Sequence, residues 1–164
     1  MGFRLQLEFI AVKHSEQPEQ YFFRVPANDS MRAAATSFLT AVCSELEVQK
    51  LFTAKMTHHV VSAFTEAYTN VVKHAYRDTP SNGEISVEVN KLDDCLEILI
   101  SDSGNKFEFE KVPSPDLDAL PEGGMGIYIM KQFMENVTYS QVGSYNQLRM
   151  RKAYIKEKAI DAQH

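Results

Sequence analysis

Apolar residues follow two spacings along the chain, and each spacing predicts one kind of secondary structure. Alternation of apolar and polar residues is typical of a strand with one buried face, and apolar residues three or four positions apart are typical of a helix. Alternation predicts strands over residues 3–12 and 84–90, and we also predict strands over residues 21–25, 95–101, 137–142 and 147–154. Helical spacing predicts three helices, one running from the N-cap residues 28–30 to about residue 46, one over 53–76 and one over 124–135.

Turn-forming residues separate these elements. Residues 14–20 and 77–83 are rich in polar residues with proline or glycine, which is typical of loops, and residues 102–122 contain three prolines and predict a long loop. Asp93-Asp94 and Gly143-Ser144 predict tight hairpins. Helices that precede and interrupt such a sheet predict an α/β (α+β) fold. It is a two-layer sandwich whose mixed, mainly antiparallel sheet is covered by helices on one face.

Composition and charge limit the classes of function. The 164 residues are enough for one domain, and we find no linker or internal repeat, so we predict a single domain over residues 1–164. A net charge of −5 argues against a general attraction to nucleic acid or to an anionic membrane. Cys43 and Cys95 lack the spacing of a disulfide framework, and no segment has the features of a signal peptide or a membrane span. We therefore expect a cytoplasmic protein.

Three polar residues recur at intervals of four in the second predicted helix. Glu66, Asn70 and His74 therefore lie along one stripe of that helix. A carboxylate can take a proton from an attacking group, and a carboxamide oxygen can bind Mg²⁺. A solvated polar face explains the same spacing, so this stripe alone does not define a site.

Two motifs that contain glycine follow the polar stripe. Asp102-Ser103-Gly104 comes directly after a predicted strand, where the carboxylate can accept a hydrogen bond from an exocyclic amine and the glycine lets the backbone approach a flat ring. Residues 123–127, Gly-Gly-Met-Gly-Ile, open the third helix, where backbone N–H groups can bind an anion. This segment fits neither the dinucleotide fingerprint nor the P-loop. Each motif alone also suits a turn, a helix cap or a hinge.

In this order and on these elements, the three motifs resemble those of the GHKL ATPase superfamily, which has the Bergerat fold. Residues 66–75 resemble its N box, residues 102–104 its first glycine box and residues 124–127 its second. The segments FTEAYTNVVKHAY and EGGMGIYIMKQFM are most similar to the small bacterial anti-sigma factor serine/threonine-protein kinases of partner-switching systems. The resemblance covers about residues 21–152.

The resemblance implies roles for individual residues. Glu66 would be the general base, Asn70 the Mg²⁺ ligand and Asp102 the carboxylate that reads adenine. Arg32, on the first helix, matches an arginine that faces protein partners in the family. The other residues implied at the nucleotide are Lys73, His74, Gly104, Gly124, Met125, Gly126, Ile127 and Asn146.

The resemblance also divides the chain. Residues 21–154 correspond to the ATPase domain, with a nucleotide lid over about 105–122, and residues 155–164 form a C-terminal tail. Residues 1–20 are an N-terminal extension for which we identify no family counterpart. After Gly104 the chain continues Asn105-Lys106-Phe107, without the further glycine often found there, and this departure puts the mobility of the lid in question.

The implied function is that of an ATP-dependent anti-sigma factor kinase. It would use ATP/ADP and Mg²⁺, phosphorylate an anti-anti-sigma (antagonist) protein and sequester a sigma factor, without direct contact with nucleic acid or a membrane. Three alternatives stay open: a regulatory module that binds nucleotide without transferring phosphate, the ATPase fragment of a sensor histidine kinase, and a kinase of a partner switch whose output is not transcription. No phosphoacceptor helix precedes the N box in the sequence, which argues against the second. The sequence does not decide the oligomeric state, and a homodimer is one possibility.

Overall fold

Among the residues that the structure describes, six strands form one sheet and three α-helices cover one of its faces. The computed structural model describes residues 10–12, 19–76, 83–106, 109 and 125–156. The strands are β1 (Ile10–Val12), β2 (Glu19–Pro26), β3 (Glu84–Lys91), β4 (Cys95–Asp102), β5 (Asn136–Val142) and β6 (Tyr145–Ala153). The helices are α1 (Arg32–Val48), α2 (Ala54–Asn70) and α3 (Met125–Phe133).

The sheet has the strand order β1-β2-β3-β4-β6-β5, and every pairing between the described strands is antiparallel. The predicted two-layer fold with a mainly antiparallel sheet is thereby confirmed. Strand β6 lies between β4 and β5, and its register with β4 places Asn146 opposite Asp102. The last residue of β4 and the second residue of β6 therefore meet at one edge of the core.

Side chains cap the starts of the first two helical segments, and the first of these caps lies in the predicted N-cap segment 28–30. The side chain of Asn28 accepts a hydrogen bond from Met31 N–H at 3.2 Å, and a 3₁₀ turn over Asp29–Met31 leads directly into α1. The hydroxyl of Thr53 accepts a hydrogen bond from Met56 N–H at 3.2 Å at the start of α2. These side chains satisfy N–H groups that have no partner within the first helical turn.

The second helix differs from the prediction at its C-terminal end. The sequence predicts one helix over residues 53–76, whereas α2 ends at Asn70 and continues as a π-helical turn over Val71–Ala75. Apolar spacing does not distinguish the two forms, because a π-helical turn adds only one residue. The carbonyl oxygen of Ala75 at the end of the turn accepts a hydrogen bond from Asn105 N–H at 2.9 Å, so the loop after β4 is tied to it.

Alternate residues of the strands and the apolar faces of the helices form one core. In β3, Ile85, Val87 and Val89 are buried, and the residues between them are more exposed. The opposite face of the sheet is polar: the Glu97 carboxylate accepts a hydrogen bond of 2.6 Å from Arg151. The largest buried side chains come from both layers and include Phe64, Tyr68, Leu39, Ile98, Ile100 and Met150.

Several predicted features lie outside the described residues. They are most of the extension over 1–20, the loop over 77–82, most of the lid over 105–122, Gly124, and the end of the tail over 155–164. Residues 10–12 of the extension pair with β2 and form an edge strand. In the described part of the chain, no helix is long and apolar enough to span a membrane.

Candidate functional site

The start of α3 lies directly against the polar stripe of α2. A Cβ atom placed on Gly126 would be 2.8 Å from Oε2 of Glu66 and 3.3 Å from Nδ2 of Asn70. Only glycine at this position leaves the carboxylate and the carboxamide in their places, since ordinary van der Waals contact begins at 3.4 Å. Two of the sequence motifs, the N box and the second glycine box, therefore meet at Glu66 and Asn70.

The third motif holds a buried carboxylate at the end of β4. Asp102 is 4% exposed, and its Oδ1 accepts hydrogen bonds from Gly104 N–H at 2.9 Å and from Nδ2 of Asn146 at 3.0 Å. The same amide nitrogen also donates to Gly104 O at 3.0 Å. Burial raises the pKa of Asp102 above its ordinary value, although the two hydrogen bonds act in the opposite direction. The structure thus keeps a carboxyl group in a place where charge is disfavoured.

A cleft that is partly open to solvent lies between these motifs. Asn70 and His74 line it from the α2 side, and Asp102 and Asn105 line it from the end of β4. Its remaining lining is mainly apolar and consists of Ala67, Val71, Ala75, Phe109, Met130, Tyr139 and Leu148. A mostly apolar cleft with a few convergent polar groups is typical of a small-molecule site.

The other predicted site residues differ in how they are packed around this cleft. Gly104 packs against the backbone of Ala75, so any side chain there would collide with the Ala75 carbonyl group. Met125 and Ile127 flank Gly126 in the first turn of α3, and Ile127 is buried. Of the predicted site residues that the structure describes, Asn70, His74 and Asp102 line the cleft. Lys73 is exposed on the π-helical turn, and Arg32 lies at the start of α1, with Nη1 3.3 Å from Oδ1 of Asp29.

Sequence reasoning did not identify the apolar wall of the cleft. Tyr139 from β5, Leu148 from β6 and Met130 from α3 contribute to it, and the ring of Phe109 stacks on Tyr139 with centroids 6.0 Å apart. In the sequence these residues have the spacing of ordinary core positions. Asn146 is the residue in the sequence that could have pointed to Leu148. Leu148 lies two residues further along β6 and therefore on the same face of that strand.

The geometry suits an adenine nucleotide with a magnesium ion. A carboxylate that lines a mainly apolar cleft can accept a hydrogen bond from an exocyclic amine, and Asn70 offers an oxygen to a cation near the helix layer. Within the described residues, no group of three or more His, Cys, Asp or Glu side chains could hold a metal ion. Magnesium commonly binds through one or two protein ligands together with substrate phosphates and water, so a single ligand such as Asn70 fits this pattern.

Comparison with known protein families assigns the chain to a family of ATPase domains. Residues 25–152 match the family model described as "Histidine kinase-like ATPase domain". The chain belongs to this family. The matched segment contains α2, the end of β4, α3 and β6, which together carry the residues described above. Membership of this ATPase domain family implies nucleotide binding.

Individual relatives show which members of this family the chain is similar to. It is 30% identical over 146 residues to a protein of Oceanobacillus iheyensis named serine-protein kinase RsbW, and the alignment covers 84% of this chain and 88% of that protein. It is 39% identical over 83 residues to serine-protein kinase RsbW of Bacillus subtilis. That shorter alignment covers 46% of this chain and 51% of the relative, so it spans about half of each protein.

A solved structure shows the same fold. The crystal structure of the RsbU and RsbW domains of a Mycobacterium tuberculosis protein aligns with a TM-score of 0.56 and 13% sequence identity. The alignment covers 82% of this chain and 33% of that one. At this identity the likeness concerns the fold alone. The sequence relatives, and not this structure, place the chain among the relatives of the RsbW serine-protein kinases.

Proposed function

We propose that this chain is an ATP-dependent serine/threonine-protein kinase. It phosphorylates an anti-anti-sigma (antagonist) protein and sequesters a sigma factor. The observation that carries the proposal is the contact between the two motifs on the helix layer. The Glu66 carboxylate lies one turn from Asn70, and Gly126 leaves space for both side chains. The names of the two sequence relatives, both serine-protein kinases, support transfer to a serine hydroxyl.

Glu66 is the residue that we assign to proton transfer. Its carboxylate accepts the proton of the substrate hydroxyl while the hydroxyl oxygen forms a bond to the γ-phosphorus, and the bond from that phosphorus to the bridging oxygen of ADP breaks. Asn70 would hold Mg²⁺ through its side-chain oxygen, and the chemistry that the ion would supply there is neutralisation of negative charge on the phosphates. Gly126 leaves both side chains free of a neighbouring Cβ atom, so that they keep the geometry that the reaction requires.

Asp102 is the residue that we assign to recognition of adenine. Its Oδ1 already accepts two hydrogen bonds, from Gly104 N–H and Asn146, so Oδ2 is the oxygen that we assign to the exocyclic amine. Apolar side chains on both sides of the cleft suit the faces of a purine ring. His74 lines the cleft on the side of Asn70, which supports a place for it near the phosphates.

Arg32 is the residue that we assign to partner binding. It lies at the start of α1 with its guanidinium group partly exposed, and its ion pair with Asp29 holds it near the surface. A half-exposed arginine with an ion-pair partner is well suited to exchange that partner for a carboxylate on another protein. The assignment rests on the family resemblance and on this placement.

Phosphate transfer to the cognate antagonist protein is the direct test of the proposed function. The purified chain is incubated with Mg²⁺, ATP labelled at the γ-phosphate, and the antagonist, and the labelled serine is identified. Glu66→Gln is the matched variant, since it keeps the size of the side chain. We expect it to bind Mg·ATP as the wild type does and to lose transfer rate by roughly 10²- to 10⁴-fold, the usual effect of a positioned base.

The outcomes distinguish catalysis from nucleotide binding alone. A wild-type chain that binds ATP but labels no antagonist supports the regulatory module and contradicts the kinase. Near-normal transfer by Glu66→Gln removes Glu66 from the mechanism and leaves the kinase in place. Binding of the sigma factor is measured separately, by titration in the presence of ADP and of ATP.

A further inference from the structure

Tyr76 joins three parts of the fold through one buried hydroxyl group. It follows the π-helical turn and is 5% exposed. Its hydroxyl donates a hydrogen bond to Glu84 O at the start of β3, at 3.0 Å, and accepts one from Ser103 N–H at 3.1 Å. Its ring packs so closely on Gly83 that a Cβ atom at Gly83 would collide with it. The end of the second helix is therefore fixed to two strands at once.

The residue that donates to Tyr76 is the one directly after Asp102. Ser103 bonds to the Tyr76 hydroxyl, and Asn105, two residues later, bonds to the carbonyl oxygen of Ala75. Two consecutive residues at the end of the helical segment therefore hold the backbone on both sides of Gly104. Gly104 N–H in turn donates to Oδ1 of Asp102. The direction of the Asp102 carboxylate thus depends on a backbone segment that Tyr76 fixes.

We propose that Tyr76 is a positioning residue for adenine recognition. Its hydroxyl group fixes the backbone after Asp102 and thereby orients the Asp102 carboxylate toward the exocyclic amine. This inference rests on the proposed function of Asp102. Tyr76 does not line the cleft, so it acts through Ser103 and not by touching the nucleotide. Nothing in the three sequence motifs assigns it a role, because its partners lie 8 and 27 residues away in the chain.

The π-helical turn explains how Tyr76 reaches its two partners. An α-helix advances by about 100° per residue, so the one extra residue in a π-helical turn rotates everything after it by about that angle. Continued α-helix through Ala75 would therefore direct residue 76 away from Glu84 and Ser103. The π-helical turn and Tyr76 therefore act together to hold the loop after β4. The hydrogen bond from Asn105 N–H to Ala75 O is a second tie between the turn and that loop.

The test compares two nucleotides on the same variant. Tyr76→Phe removes the hydroxyl and keeps the ring, and calorimetry measures its affinity for ATP and for purine riboside triphosphate, which has hydrogen in place of the 6-amino group. We expect affinity for ATP to fall roughly 5- to 10-fold, the effect of about one hydrogen bond, and affinity for the analogue to fall less than about twofold. A purely structural role would weaken both nucleotides equally.

Tyr68→Phe is the matched control. Tyr68 is also buried and donates from its hydroxyl to a backbone carbonyl, Asn28 O at 3.1 Å, but it belongs to the α2 core and not to the loop after β4. We expect Tyr68→Phe to keep the wild-type ratio between the affinity for ATP and the affinity for purine riboside triphosphate. Gly83→Ala is the second variant in case Tyr76→Phe does not fold: the added methyl group displaces the Tyr76 ring, and we expect the ratio to fall as it does in Tyr76→Phe.

The outcomes separate this inference from the proposed function. A preference for ATP that Tyr76→Phe and Gly83→Ala both retain overturns the role of Tyr76. A wild-type chain that binds both nucleotides equally overturns the role of Asp102 and this inference with it. A wild-type chain that prefers ATP but transfers no phosphate contradicts the kinase, while a reduced preference in Tyr76→Phe still supports this inference.

Discussion

Gly126→Ala is the substitution that best separates the stability of the fold from the proposed chemistry. The added Cβ atom would lie 2.8 Å from Oε2 of Glu66, whereas ordinary contact begins at 3.4 Å, so the two atoms must separate by about 0.6 Å (3.4 − 2.8). Oε2 is the far end of a flexible side chain and can move by rotation at little cost. The distance to Nδ2 of Asn70, 3.3 Å, is almost acceptable as it stands. The carboxylate is therefore the group that yields.

The two expected effects of this substitution have opposite signs. Alanine is favoured over glycine within a helix by up to roughly 1 kcal/mol, so the free energy of unfolding should stay the same or increase. The displaced carboxylate of Glu66 should instead lower the rate of phosphate transfer by about 10- to 100-fold, because a catalytic group loses rate steeply when it is misplaced by a fraction of an ångström to one ångström. Affinity for Mg·ATP should change much less than the rate.

Three measurements on the same preparations test this expectation. Denaturant unfolding gives stability, calorimetry gives nucleotide affinity, and transfer of labelled phosphate to the antagonist gives the rate. Gly143→Ala is the matched control, since Gly143 has φ of +62° in the β5–β6 turn with open space around it. Alanine there should cost about 1–2 kcal/mol of stability and leave the transfer rate per folded molecule unchanged. A Gly126→Ala protein with the wild-type transfer rate would refute the placement of Glu66 in the mechanism.

The remaining predictions concern the cleft and Asn70, the proposed Mg²⁺ ligand. Asp102→Asn should weaken ATP binding roughly 10- to 100-fold, because an amide that keeps its oxygen toward Gly104 presents a donor to the adenine amine. Because burial raises the pKa of Asp102 in the folded state, this group contributes stability that is fully present below its unfolded pKa and is lost as the pH rises through its folded pKa. Asp102→Asn should therefore equal or exceed the wild type in thermal stability at pH 7 and lose that advantage in acid. Asn70→Ala should lower Mg²⁺-dependent nucleotide binding and transfer together, and a titration in which added Mg²⁺ still strengthens ATP binding would contradict the ligand role. Gly104→Ala should cost about 1–3 kcal/mol of stability, since its methyl group meets the backbone of Ala75, which cannot rotate away; unchanged denaturant unfolding would contradict that contact.

Much of the fold follows from local signals in the sequence. The capping side chains of Asn28 and Thr53, the alternation in β3, and the turn at Gly143 are each decided by residues within one turn or one hairpin. The three motifs could be assigned to the ends of elements for the same reason. The approach of Asn146 to Asp102 follows from sheet order, because β6 lies next to β4.

Features that depend on contacts between distant segments could not be predicted. The π-helical turn over Val71–Ala75 has no residue signature, and it is tied to Asn105 thirty positions further along the chain. Tyr76 looks like the last apolar residue of a helix until its hydroxyl is seen between Glu84 and Ser103. The apolar wall, including Tyr139, has the alternation of any strand that faces a core.

Two residues at the site are poor choices for the stability of the fold alone. Gly126 stands within a helix, where alanine is favoured, and Asp102 keeps a carboxyl group buried where ionisation is disfavoured. A chain that needed only to pack α3 on α2 would be more stable with alanine at position 126. A chain that needed only the bonds from Asn146 and Gly104 would keep them with asparagine at position 102. Both departures from stability occur where the three motifs meet, and both are explained by a ligand whose phosphates and amine require an unobstructed carboxylate beside Asn70 and an acceptor oxygen in the cleft. The deviation from optimal stability therefore points to the same nucleotide site as the motifs do.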